Sequence, residues 1–141
     1  MAVTAYWYGK GIENIMRNTI DVDTHTFKCM LTTSTYVPNV DTHDQKADVT
    51  NEVTGTGYTA GGVALTSVVI SQDSTSNEVE IDAADAVWSS STITARYAVV
   101  YDDTAAGDEL LMYVDFGEDF TSTNGTFTIQ WSVEGLVKAS Y

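Results

Sequence analysis

A chain of 141 residues, 43% of them apolar, has the length of one ordinary domain and can bury a core without covalent staples. Its acidic residues outnumber its basic ones 20 to 6, giving a net charge of −14, and Lys10, Arg17, Lys28, Lys46, Arg96 and Lys138 stand singly, so no basic patch exists to hold a nucleic acid. No run approaches the ~18 apolar residues of a membrane-spanning helix, and one cysteine, Cys29, excludes an intrachain disulfide.

The first residues, Met1-Ala2-Val3-Thr4-Ala5-Tyr6-Trp7-Tyr8, have no charged start, long apolar core or cleavage motif. They read as a strand over residues 3–8 rather than a secretory signal, and a soluble chain is expected. Tyr6 and Tyr8 would share one face and Trp7 the other, which asks for a strand that is central in a sheet or buried against another copy. Residues 10–18 place Ile12, Ile15 and Met16 at i, i+3 and i+4 and predict one short helix over an open end or edge of the sheets. In residues 26–33, Phe27, Cys29 and Leu31 alternate with Thr26, Lys28 and Thr32, the pattern of a half-buried strand with one mostly polar face. Residues 34–62 are polar and contain the single proline, Pro38; they read as a long loop and as the arm that touches a partner.

Further strands are predicted at 65–71, 78–81, 92–101, 109–116 and 126–133, with turns at 73–77, 102–108 and Asn124-Gly125. The Asn-Gly pair is a type I′ hairpin signal, because both central residues of that turn need positive φ. The 92–101 segment is apolar at Ile93, Ala95, Tyr97, Val99 and Tyr101, and again at Ala98 and Val100 on its second face, as in a central strand. The 126–133 segment sets Phe127, Ile129, Trp131 and Val133 against Thr126, Thr128, Gln130 and Ser132, a strand facing water on one side. Seven or more short strands with little helix predict an all-β fold: a β-sandwich of antiparallel strands in one domain over residues 1–141, with at most one short N-terminal helix. Phe27, Leu31, Ile93, Tyr97, Ile129 and Trp131 are expected in one core.

Chemistry-bearing patterns are sparse. Asp102-Asp103, Asp108-Glu109 and Asp115 with Glu118-Asp119 could supply paired acids, but each lies at a predicted turn, where a carboxylate accepts backbone hydrogen bonds and stays hydrated. Asp21-Val22-Asp23 begins like a calcium loop, yet Thr26 and Thr32 stand where glycine and a bidentate glutamate belong. A calcium site assembled from several loops stays open. His25 and His43 read as exposed loop histidines, and Cys29 as a small buried hydrophobe, so no catalytic residue, metal ligand or cofactor site is assigned and no enzyme is expected. Gly55, Gly57, Gly61 and Gly62 match no phosphate-binding fingerprint and read as turn residues. The remaining candidates are aromatic. Tyr6, Trp7, Tyr8, Tyr36, Tyr58 and Tyr141 form the candidate interface set, since tyrosine suits surfaces apolar at one end and wet at the other, while core packing stands beside that reading for Trp7.

Residues 48–62, Asp-Val-Thr-Asn-Glu-Val-Thr-Gly-Thr-Gly-Tyr-Thr-Ala-Gly-Gly, resemble a recurrent signature of small virion proteins of tailed bacteriophages. The resemblance continues through Ala95-Arg96-Tyr97-Ala98-Val99-Val100-Tyr101 and Phe127-Thr128-Ile129-Gln130-Trp131, covering most of the chain from about Phe27 to Ser140. It implies a structural virion protein, above all a capsid decoration (cement) protein that binds and stabilises the expanded head shell. The implied partners are other virion proteins, the major capsid protein foremost, and further copies in a homo-oligomer, with assembly in the host cytoplasm. Two other classes stay open: a tail-side adaptor or fibre-associated protein, and a carbohydrate-binding β-sandwich.

Overall fold

The alternation of apolar and polar residues resolves into two antiparallel sheets in the computed structural model, which describes residues 4–141. In chain order the elements are β1 (Thr4–Trp7), α1 (Gly9–Met16), β2 (Phe27–Thr32), a 3-10 turn (Lys46–Asp48), β3 (Val63–Ala64), β4 (Val69–Asp73), β5 (Glu78–Asp82), β6 (Ala86–Asp102), β7 (Leu110–Ile129) and β8 (Val137–Ser140). The larger sheet has the order β1-β7-β6-β2-β3 and the smaller β4-β5-β8. The fold is all-β and sandwich-like with a single short helix, as the period of two predicts.

The long hairpin of β6 and β7 is the centre of the larger sheet. The segments expected as separate strands at 109–116 and 126–133 belong largely to one strand, β7, and Asn124-Gly125 is not its hairpin turn. Asn124 has φ 46° but Gly125 lacks the positive φ that a type I′ turn would need. Instead β7 absorbs an extra residue between Ser122 and Gly125, opposite Ile93 and Ser91. The buried Ser91 hydroxyl fills this irregularity, meeting Ser122 Oγ at 2.7 Å and donating toward the carbonyl of Gly125 at 3.2 Å.

A larger shift reverses the faces of β6. It advances two residues from Ala95 to Tyr97 while β7 advances five from Asp115 to Phe120. Ile93 and Ala95 therefore face the main core, but beyond the shift Ala98 and Val100 do, and Tyr97 turns to the other side. Tyr97 thus leaves the single core expected for it, whereas Phe27, Leu31, Ile93 and Ile129 meet there with Ile81 and Val137 of the smaller sheet. Trp131 packs at its margin. The strand expected over 126–133 ends at Ile129, so Val133 is fully exposed instead of continuing the apolar row. Of the strand expected over 65–71, only residues 69–71 are strand, as the start of β4, and residues 65–68 link β3 to β4.

The second face of the sheet carries its own cluster, Tyr8, Met30, Tyr36, Val99, Tyr101 and Leu110. Met30 and Thr32 are consequently buried, and the outward face expected of β2 is not solvated. Its cover is the 34–62 segment, which lies on this chain's own sheet: Thr33 N–H donates to Asn51 O at 3.0 Å, Val53 N–H to Leu31 O at 2.9 Å and Thr92 N–H to Thr56 O at 2.9 Å. Burial within the chain thus offsets the ordering entropy of a long loop.

β1 is an edge strand, paired with Met112–Asp115 of β7, and not a central one. Val3, assigned to this strand from sequence, lies outside the described residues. Helix α1 sits over β7 by backbone approach: a Cβ on Gly11 would lie 2.6 Å from the Leu111 carbonyl oxygen. Of its expected apolar stripe, Ile15 packs on the core while Ile12 and Met16 are exposed.

Gly62 makes the closest approach. Its φ is 81° and a Cβ there would lie 1.9 Å from the carbonyl oxygen of Cys29, where the chain enters β3 alongside β2. Gly62→Ala is expected to lower stability by about 2–4 kcal/mol, read as a reduced midpoint in urea unfolding with an unchanged slope.

Candidate interaction surface

The six candidate aromatics separate into core and surface. Tyr8 and Tyr36 are enclosed by the chain itself, and their hydroxyls meet at 2.8 Å, with His43 Nδ1 2.9 Å from the Tyr36 oxygen. Burial pushes both phenols upward from the ordinary tyrosine range, Tyr8 far more. Neither ring is presented to a partner in this conformation, which corrects their assignment to an interface. Tyr58 is half-buried, its ring stacked on Trp88 at 6.2 Å. Its hydroxyl donates to Glu52 Oε1 at 2.8 Å and accepts the Leu31 amide at 3.0 Å, so the polar end expected to face a partner fastens the loop instead.

Tyr6, Trp7 and Tyr141 remain at the surface. Tyr6 is 42% exposed and stacks on Tyr113 at 5.0 Å; burial pushes the Tyr113 phenol up to about 12. Tyr141 is 65% exposed, on the smaller sheet, with its hydroxyl against the Gln72 amide. Trp7 packs partly on the main core and donates its indole N–H to the Lys138 carbonyl at 2.9 Å.

Trp7 also walls a groove of about 480 Å³ with Val114, Ile129, Trp131, Leu136 and Lys138. Trp131 donates its own indole N–H to the Ala84 carbonyl at 3.0 Å. Both indoles are thereby held by backbone acceptors, and what they can offer a ligand is ring surface. A second hollow of about 320 Å³ shares Ile129 and Gln130 with this groove and is lined by Phe116, Phe120 and Phe127. The sequence places Trp131 in the expected core and Phe127 on the apolar face of its strand; their place beside a hollow depends on where β7 ends and how it bends.

The titratable groups mostly fasten loops. Asp102, expected to be a hydrated turn acid, is fully buried: it accepts the amides of Thr104 at 2.9 Å and Ala105 at 3.1 Å and meets His25 Nδ1 at 2.5 Å. His25 is accordingly three-quarters enclosed and not an exposed loop histidine. His43, also expected to be exposed, is partly buried, and its ring stacks on Tyr36 at 5.7 Å. Asp103 pairs with Lys28 at 3.2 Å and Asp115 with Arg96 at 2.8 Å. Among the described residues, no group of three or more His, Cys, Asp and Glu side chains is placed to hold a metal ion.

Comparison with known proteins gives no relative: the chain matches no family model, no curated protein and no solved structure at a significant level. No helix among the described residues is long and apolar enough to cross a membrane.

Two outcomes follow from these environments. Cys29 is fully buried, which pushes its thiol far above the ordinary range; the native protein should resist a thiol-specific reagent and bind one equivalent once denatured, as followed by intact mass. The second concerns acid. The Arg96 guanidinium holds Asp115 below the usual carboxylate range, and the amides of Asp44 and Gln45 do the same for Asp48. A carboxylate whose folded pKa is depressed adds stability that is fully present above its unfolded value and is lost as pH falls through the folded one. Melting temperature should therefore drop as pH is taken below about 3.8, the ordinary aspartate value; Asp115→Asn should flatten the drop.

Proposed function

We propose that this chain is a structural virion protein of a tailed bacteriophage, and specifically a decoration protein that binds and stabilises the head shell. The observation that carries the reading is the 48–62 segment, with its continuation at residues 95–101 and 127–131. In this chain the same segment is a strap: Val53 enters the main core, the Gly61 amide donates to Glu52, and Gly62 closes on β2. A small domain strapped on both faces of its central sheet suits a part that must persist outside a cell. Its partners are the major capsid protein and further copies of itself, with Tyr6 on the β1 edge and Tyr141 as exposed aromatic contacts.

A second reading rests on the groove between Trp7 and Trp131. Indole faces beside Gln130, Glu134 and Lys138 are the kind of surface that stacks on a sugar ring while polar groups meet its hydroxyls, which favours a carbohydrate-binding module.

Copy number on the particle tests the first reading. Purified heads should carry the chain at near-stoichiometric ratio to the major capsid protein, and heads lacking it should lose contents at a lower temperature. A few copies that sediment with isolated tails would replace the head reading with a tail-side one. Absence from particles, together with glycan binding lost in Trp131→Ala, would replace both with the carbohydrate reading.

A further inference from the structure

Strand β7 is covered unequally on its two edges. β6 pairs with it up to Asp115 and again from Phe120 to Ile129, residues 116–119 standing opposite Arg96 alone, whereas the described residues of β1 cover Met112–Asp115 on the other side. Among the described residues, no strand pairs with the outer edge of residues 116–129. An unpaired edge exposes backbone donors and acceptors, and proteins usually blunt such an edge with lysine, proline, a bulge or a covering segment. Bulges are present here, at 116–119 and between Ser122 and Gly125, and they bend the edge without covering residues 120–129. Residues 116–129, Phe-Gly-Glu-Asp-Phe-Thr-Ser-Thr-Asn-Gly-Thr-Phe-Thr-Ile, contain neither lysine nor proline.

Two features distinguish this edge from the others. First, every residue lining the second hollow except Gln130 belongs to this stretch, Phe116, Phe120 and Phe127 among them, and Phe120 is 43% exposed. Open backbone beside apolar pockets is the pairing used when an extended peptide is added to a sheet: main-chain hydrogen bonds give affinity and the pockets select side chains. β4 is also an edge and exposes Val69 and Ile70, but neither hollow reaches it, while at β8, the edge beside the larger groove, the Trp7 indole already takes the Lys138 carbonyl. Second, Glu118 and Asp119 are exposed on this stretch, and neither forms an ion pair with a basic residue among those described. With a net charge of −14 behind them, the occupant that fits is cationic. A second copy would bring the same acids to the same edge.

We propose that the outer edge of β7 over residues 120–129, beside the bulge at 116–119, is a strand-addition site for an extended segment of another protein that alternates basic and apolar side chains. The apolar side chains enter the Phe116–Phe120 hollow, and the basic ones meet Glu118 and Asp119. The inference goes beyond the virion reading and does not depend on it, since edge, hollow and charge are properties of this chain alone.

The test uses the full chain and three synthetic octapeptides: alternating lysine and valine, the same peptide N-methylated at every second residue, and alternating glutamate and valine. Amide hydrogen exchange at physiological salt reads where each one binds. The lysine–valine peptide should slow exchange within residues 116–129, the N-methylated peptide of equal charge should bind at least about tenfold more weakly, and the glutamate peptide should not bind. Glu118→Lys with Asp119→Lys should weaken binding about tenfold at unchanged melting temperature, because both sites are exposed. Phe120→Ser, also at an exposed site, should weaken the lysine–valine peptide through the hollow. Equal binding of the N-methylated peptide would reduce the effect to charge attraction and overturn the proposal. Protection confined to β1 or β4 would overturn it too. So would concentration-dependent self-association of the free chain that protects 116–129, which would give this edge to a second copy.

Discussion

A sheet that is apolar on both faces must be covered twice, and in a chain this short that requirement shapes almost everything else. β6 carries Ala98 and Val100 toward one core and Val99 and Tyr101 toward the other, so neither side of the central hairpin can face water. The smaller sheet covers the first side through Ile81 and Val137. No third sheet exists among the described residues for the second side, and the long segment between β2 and β3 takes its place. It covers that side with Tyr36 and Val49 and is held to the sheet by side-chain bonds: Tyr36 meets the Tyr8 hydroxyl, Tyr58, on the main-core side, is fixed by Glu52 and the Leu31 amide, and Tyr101 of β6 donates to the Gly61 carbonyl at 2.7 Å. Each such bond contributes only about 1 kcal/mol net. Their larger effect is to leave the strap few alternative positions.

The central strand was legible in the sequence because its signal is local: a run apolar on both parities can only be buried on both faces. Class, approximate strand positions and most of the main core followed from the same period of two. What failed were features that depend on a distant partner. The face reversal at Ala95–Tyr97 arises from extra residues in β7, so nothing within 92–101 announces it and Tyr97 was placed in the wrong core. Asn124-Gly125 carries the local chemistry of a hairpin, but β6 continues opposite it and the pair becomes an irregularity within one strand. Asp102 was read as a hydrated acid because its neighbours form a turn, yet His25, 77 positions away, closes over it. The aromatic set shows the same limit: Tyr8 and Tyr36 look like surface residues until they are brought together from 28 positions apart.

Charge is arranged to match this architecture. With 20 acids against 6 bases, most carboxylates have no cation available, and the ones that are held are held by backbone amides or by a rare basic partner. Asp48 accepts two amides, Asp73 caps the turn between β4 and β5 through the Thr75 amide, and Asp115 takes Arg96. Carboxylates of this kind stabilise turns without a counterion, and the others supply a negative field over the surface. That field disfavours contact between like copies at long range but is screened beyond about 8 Å in physiological salt. Contact between copies is therefore decided by what meets at short range, and the large exposed aromatics lie on separate elements: Tyr6 on β1, Phe120 on β7 and Tyr141 after β8.

The same requirement explains where the molecule is left open. The strap reaches β6 through Thr56, β2 through Glu52 and the start of β7 where the Leu110 amide donates to Asp44, and none of these bridges extends to β7 beyond Leu110. The described part of β1, Thr4–Trp7, covers Met112–Asp115. Beyond that point β7 continues, among the described residues, with β6 alone, bending through the extra residues near Gly117 and Asn124. Bending leaves a hollow among Phe116, Phe120 and Phe127, the Phe116 ring lying 6.0 Å from Phe120 and 6.1 Å from Phe127, rather than a flat edge, which makes indiscriminate edge-to-edge pairing with another copy less favourable. An open edge with a shaped apolar hollow and unpaired acids accepts some strands and rejects others, and specificity there is a matter of which side chains the incoming segment carries.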